Sequence, residues 1–378
     1  MFNQLLNLLN LERKRSAIAP VIAFHTQGQA QWTPRNYAAM AREGFQGNAI
    51  GYRCVRMIAE AAASIPLLVY EGDGDVAGHP LVSLLAKPNP GQGGREFLES
   101  VYGFLLISGN AYVEAAEVTG SPRELYALRP DRMKVVASSS GWPEAYEYSV
   151  HGTAIRLAAE NLLHVKLFNP LDDHYGMSPL EAACRPLDTH NAASAWNKAM
   201  LDNAARPSGA LIYTGGDGHL TAEQRQSVRD ELDSRFQGAA NAGRPLVLEG
   251  GLDWKEIGLS PKDMDFIEAK NQAARDVALA FGVPPMLLGI PGDNTFANYA
   301  EANRSFWRQT VLPHAGRVIE AMSGWLGPRF GGVRIEPDLD RVEALSADRE
   351  ALWSRLEKAS FLSEDEKRIA AGYPARGS

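Results

Sequence analysis

Asp172-Asp173-His174 places two carboxylates beside an imidazole, the residue types that general acid–base hydrolysis uses. Adjacent polar residues on a loop more often bond their own backbone, so the triplet reads first as a solvated turn. Gly215-Gly216-Asp217-Gly218 has the composition of a phosphate cradle. It lies between a strand pattern and a helix start at Thr221, however, where glycines serve a turn. Cys54 and Cys184 form no CxxC pair and are too few for a zinc site of their own. The eight histidines are scattered, none spaced as ligand pairs on one helix face. No Gly-Lys dipeptide exists, hence no Walker A loop, and GxSxG, HExxH and EF-hand patterns are absent. Tyr299, Phe306 and Trp307, at i, i+7 and i+8, share a helix face that fits core or subunit contact better than base stacking. No catalytic residue, cofactor or metal is expected. A hydrolase using Asp172, Asp173 and His174 stands as an alternative.

The elements that hold these residues belong to a globular chain. Its 378 residues suggest two or three domains. The 45% apolar and 22% charged composition is ordinary for such a protein. Lys and Arg number 38 against 45 Asp and Glu, a formal charge of −7. That is the reverse of the basic excess with which proteins grip nucleic acid. No uninterrupted apolar run reaches the roughly 18 residues a membrane span needs. Near the N-terminus Arg13-Lys14-Arg15 follows the leucines instead of preceding them, the wrong order for a secretory signal.

Periodicity and punctuation mark the elements. Ile50, Cys54, Val55, Ile58 and Ala62 fall at helical spacing over residues 48–63, ahead of a strand at 65–70. Helices at 79–85 and 95–107 precede strands at 111–118, 125–128, 133–137, 145–150, 154–157 and 162–167. The first half is therefore an α+β domain. Ser178-Pro179-Leu180-Glu181 is a capped helix start. Its helix is expected to run to about Ala205, with a bend at Pro186. A compact insert at 207–258 reads as a strand, a helix at 222–236 and strands near 245–249 and 253–257. A second long helix is expected from the Ser260-Pro261 cap to Phe281. A loop at 289–298 leads to a last long helix, kinked at Pro313 and ending near Gly327. A strand at 333–336 and helices at 346–358 and 364–371 complete the pattern.

Seven segments, in one order, carry a resemblance. They are YRCVRMIAEAAASIPLLVY (52–70), HPLVSLLAKPNP (79–90), GNAY (109–112), GMSPL (176–180), ARPSG (205–209), VLEGG (247–251) and GVPPMLLG (282–289). Together they resemble the portal, or head–tail connector, proteins of tailed bacteriophages, of the siphophage type shared with gene transfer agents. The resemblance covers about residues 45–373. It implies a helix-rich α+β fold with an N-terminal arm (1–24), a wing (25–177), a first stem helix (178–206) and an α/β clip (207–259). A second stem helix (260–288), a tunnel loop (289–298), a kinked helix and return strand of the wing (299–339) and a short crown (340–378) would follow. It further implies a homo-oligomeric ring, a dodecamer in assembled particles, at one capsid vertex, passing double-stranded DNA. The implied partners are the major capsid protein, the terminase packaging motor and a head–tail adaptor, with no membrane. The implied location is a virion or phage-like particle assembled in the bacterial cytoplasm. A capsid-associated adaptor or scaffold without a DNA channel is the other alternative.

On that reading particular residues acquire roles. At 100° per residue Glu268, Asn271, Gln272, Arg275 and Asp276 share a polar helix face, opposite Phe266, Ala273, Val277 and Phe281. Lys270 falls in the apolar sector, so a subunit seam or the lumen is expected for it. The expected channel lining is Glu268, Lys270, Gln272 and Arg275, with the loop tip Asp293, Asn294, Thr295 and Phe296. That tip has no Lys or Arg with which to hold phosphate. Ala192, Ala195 and Ala199 are expected at a subunit interface, where small side chains allow close helix approach. Arg225, Arg229, Asp230 and Arg235 are expected to face the motor or the adaptor.

Overall fold

Asn36 and Asn48 begin the first two helices, Tyr37–Met40 (α1) and Ala49–Ala63 (α2). Each lends its side-chain oxygen to backbone N–H groups that would otherwise lack partners. The computed structural model describes residues 32–72, 74–118, 120–202, 209–213, 221–236, 251–256, 266–291 and 296–373. Cys54, Val55, Ile58 and Ala62 of α2 are buried, and Ile50 packs against the same core, as the spacing predicts. Leu67–Glu71 (β1) turns through a short hairpin into Gly74–Asp75 (β2). Pro80–Ala86 (α3) and Gly94–Ser108 (α4) follow, and α4 ends at Gly109 in the left-handed conformation, φ 77°.

Two three-stranded antiparallel sheets come next. In the first, Asn110–Val118 (β3) lies between Ser121–Leu128 (β4) and Leu162–Lys166 (β8). The second is the meander Met133–Ala137 (β5), Pro143–Val150 (β6) and Thr153–Ala158 (β7). The strand expected at 125–128 starts earlier, at Ser121. A register shift between Ala116 and Glu117 accommodates Pro122, which has no N–H to give the ladder.

The helix expected to bend at Pro186 is instead two helices, Pro179–Ala182 (α5) and Cys184–Asp202 (α6). The break falls at Ala183. Pro186 then sits in the first turn of α6, where a backbone N–H would have no intrahelical partner, so proline costs little and bends nothing. Residues 203–208, the expected end of that helix, lie outside the described residues. In the insert, Gly209–Tyr213 (β9) pairs antiparallel with Leu252–Glu256 (β10), and Ala222–Phe236 (α7) is the expected helix. The predicted strand at 245–249, the glycine tract at 215–218 and the Ser260 cap lie outside the described residues.

Phe266–Phe281 (α8) is followed by Phe296–Phe306 (α9), a wider π turn at 307–311 and Leu312–Leu326 (α10). The kink expected at Pro313 thus appears as a π turn just before it. Proline cannot donate to the carbonyl four residues back, and the ladder widens ahead of it. Arg334–Pro337 (β11) returns to pair antiparallel with β1, joining the two ends of the described chain. Ser346–Lys358 (α11) and Glu364–Ala370 (α12) complete the fold, α12 with a full capping box between Ser363 and Glu366. One core unites Val101 and Leu105 of α4, Val277 and Phe281 of α8, and Val318 and Met322 of α10.

Candidate functional site

The predicted functional helices α6 and α8 pack side by side. Leu187 and Ala193 of α6 are buried, as are Ala273, Ala274, Val277, Ala278 and Phe281 of α8. The apolar sector read from the sequence is therefore the packed one. Glu268 and Gln272 are exposed, and Gln272 Nε2 donates to Asp276 Oδ1 at 2.9 Å. Lys270 is half-buried and bears on His190 of α6 in the same chain. Burial, and then the Lys270 charge, hold the His190 pKa below its ordinary value. Lys270 and Arg275 are both half-buried, so they are less available as lining candidates than Glu268 and Gln272. Ala192, Ala195 and Ala199 are all exposed, one small stripe on the outer side of α6.

Two clamps fix the loop between α8 and α9. The Arg275 guanidinium donates to the Pro291 carbonyl, so this lining candidate ties the loop base to α8. Thr310 Oγ1 donates to the Gly282 carbonyl at 2.6 Å, joining the end of α8 to the π turn. Gly282 has φ 66°, and a Cβ there would press on Thr310 Oγ1 at 2.7 Å. Asp293, Asn294 and Thr295 lie outside the described residues. Phe296 opens α9, and its side chain is likewise outside the description.

In the insert, Arg225 and Asp230 are exposed on α7, and Asp230 Oδ1 accepts from Gln226 Nε2 at 2.9 Å. The side chains of Arg229 and Arg235 are not among those described. Asp172 has its Oδ1 committed to the backbone N–H groups of His174 (2.7 Å) and Tyr175 (2.9 Å). The triplet is thus built as a turn, and the carboxylate that hydrolysis would need is holding backbone. Among the described residues no group of three His, Cys, Asp or Glu side chains is placed to hold a metal. Nor is any described helix long and apolar enough to cross a membrane.

The sequence reading missed the joints. Gly109 and Gly176, from GNAY and GMSPL, lie back to back, and a Cβ on either would collide with the backbone oxygen of the other. Asn110 Oδ1 accepts from the Gly176 N–H at 2.8 Å and from His164 Nε2 at 3.0 Å. The shared acceptor places a hydrogen on Nε2. The His164 ring stacks on Tyr112 with centroids 4.3 Å apart. Burial pushes the His164 pKa down to about 3, with the Lys166 and His174 charges adding to it. A second joint forms where Asn48, 2% exposed, caps α2 with Oδ1 and donates from Nδ2 to Asn191 Oδ1 at 2.8 Å. The same Nδ2 lies 3.1 Å from His190 Nδ1. For the first joint the signal was present in Gly109, Asn110 and Gly176 of the quoted segments, but the partners at the two joints are 66 and 142 residues apart.

So two of the segments that carry the resemblance, GNAY and GMSPL, meet at one internal joint of the fold. The family model described as phage portal protein matches residues 49–372. The chain belongs to the phage portal protein family. A chain from the neck of a native gene transfer agent particle, computed with C12 symmetry, shares 51% identity with this portal protein. The similarity covers 92% of this chain and 96% of that one, with a TM-score of 0.69. A protein of Rickettsia bellii (strain RML369-C) is 40% identical over 341 residues, 88% of each chain. The portal protein of Enterobacteria phage HK97 is 26% identical over 336 residues, 85% of this portal protein and 78% of its own length.

Proposed function

We propose that this portal protein forms a twelvefold ring at one vertex of a phage-like capsid of the gene transfer agent kind, and that double-stranded DNA enters and leaves through its channel. The observation that carries the reading is the 51% identity, over 92% of the chain, to a subunit of a C12-symmetric neck. In this reading residues 25–177 and 299–339 are the wing, α6 and α8 belong to the stem, 207–259 is the clip and 340–378 the crown. The stripe Ala192, Ala195 and Ala199 meets a neighbouring subunit, since small exposed side chains let a second helix approach closely. Glu268, Gln272 and the loop tip at 293–296 line the lumen, Arg275 fixing the base of that loop. A formal charge of −7 per subunit keeps the wall from holding phosphate, so the duplex slides. The charged outer side of α7, with Arg225, Arg229, Asp230 and Arg235, is the surface offered to a packaging terminase and a tail adaptor.

Electron microscopy of the purified full chain tests the reading. Closed rings with a central hole are expected, and class averages should show twelve subunits when assembled in particles. Monomers or open chains at every concentration would overturn it, and would favour an adaptor or scaffold.

A further inference from the structure

Two exposed arginines of this acidic chain face the same cleft. On one side is the segment that leaves the 289–298 loop, with Arg304 in α9 and Arg308 one turn later in the π turn. Opposite it is one stripe of α11, with Asp348, Ala351 and Arg355 at i, i+3 and i+7. Arg308, Asp348, Ala351 and Arg355 line a cleft of about 380 Å³.

Three acids nearby, Glu301, Asp348 and Asp340, have arginine partners. Arg304 takes Glu301 at 3.2 Å and reaches Asp348 at 3.8 Å, tying α9 to α11 across the cleft. Arg349 pairs with Asp340, which also accepts from the Tyr373 hydroxyl at 2.5 Å. Arg308 and Arg355 are exposed and make no ion pair among the described residues. Their approach is not blocked, because the residue between Asp348 and Arg355 on the cleft floor is an alanine. A guanidinium presents a planar fork that matches two oxygens of a phosphate, and two forks on separate elements can hold one phosphodiester from both sides. Asp348 is the one acid in the cleft, and Arg304 offsets part of its charge.

We propose that Arg308 and Arg355 form a phosphate clamp that takes the sugar–phosphate backbone of duplex DNA, without reading its sequence. The proposal rests on the ring reading above and adds to it a residue-level contact outside the loop tip, which has no Lys or Arg. One clamp per subunit, repeated around a ring, gives shallow and equivalent stations at which a duplex is steadied without being trapped.

The test uses the full-length chain and a 30-base-pair duplex of arbitrary sequence, with binding read by fluorescence anisotropy across a salt series. The variant Arg308→Gln/Arg355→Gln should form rings like the wild type and bind the duplex about tenfold more weakly near 50 mM salt, with a shallower slope of log affinity against log salt. Arg308→Lys/Arg355→Lys, which keeps the charges, should recover most of the loss. Unchanged affinity and slope in the Gln variant would overturn the clamp, and so would loss of rings, which would assign these arginines to a subunit contact. Displacement of the duplex by inorganic phosphate at equal phosphate concentration would also overturn it, in favour of a free-anion site. If the wild type forms no rings, the ring reading falls, while the affinity comparison still decides the clamp on the protomer.

Discussion

The joint around Gly109 and Gly176 and the outer faces of α6 and α8 solve opposite problems. At the joint, backbone meets backbone so closely that only glycine fits, and each side-chain polar group there has a partner inside the same chain. On the helix pair the inner face is packed to the same standard, but the outer face presents Ala192, Ala195, Ala199, Glu268 and Gln272 to solvent. The joint therefore owes its residue types to this chain's own backbone. The outer faces have no such internal constraint, and they mix small, charged and apolar side chains, with Ile267 and Leu279 of α8 exposed. Family identity was legible at the first kind of region, and the second is the one proposed to meet neighbouring subunits and the lumen.

Substitution at the joint should give the largest effect. Gly176→Val drives a branched side chain into the Gly109 carbonyl, and no rotamer relieves a clash at Cβ. The expected loss is about 3 kcal/mol or more, measured as the urea midpoint of the purified chain. A loss below about 1 kcal/mol would show that the two backbones part easily, and the contrast between the regions would blur.

Next comes acid sensitivity of the same joint. The folded state holds His164 neutral down to about pH 3, whereas in the unfolded chain it titrates near its ordinary value of about 6.5. Between those values the unfolded state binds the extra proton. Stability from this group is thus complete above about pH 6.5 and is lost progressively as the pH falls toward 3. His164→Asn should flatten the fall in unfolding free energy across that window, as read from urea titrations at several pH values. An unchanged slope would mean that other groups govern the acid limb.

The smallest effect on the protomer is expected on the outer face. Ala195→Arg adds a long side chain to an exposed helix position, which should shift protomer stability by about 0.5 kcal/mol or less. The same change should abolish rings on a sizing column, because a helix seam cannot accommodate the bulk or an unpaired charge. Normal rings from this variant would remove the α6 stripe from the subunit contact and leave that face merely solvated.

How much was legible in the sequence varies by residue. Ser178 announced a helix start that the structure reproduces, because capping is a local transaction over three or four residues. The apolar stripes of α2 and α8 were legible for the same reason, since helical geometry alone decides which residues share a face. Pro186 was misread because a proline's effect depends on where the helix begins, and the break at Ala183 was not marked. The turn role of Asp172 was legible, while the clamp pair Arg308 and Arg355 was not, because 47 positions separate them in the chain.

By itself, then, the sequence determined what local physics determines: the helices and their caps, the alternation of short strands, the acidic balance and the ordered segments that mark a portal protein. Tertiary structure alone decided which distant pieces meet. It paired β1 with β11 across more than 260 residues, set Asn110 against Gly176, turned Lys270 toward His190 and brought Arg308 opposite Arg355. The reason is that a one-dimensional pattern fixes the direction of a side chain on its own element. What that side chain faces depends on how the elements share one core, and no stretch of sequence contains that information.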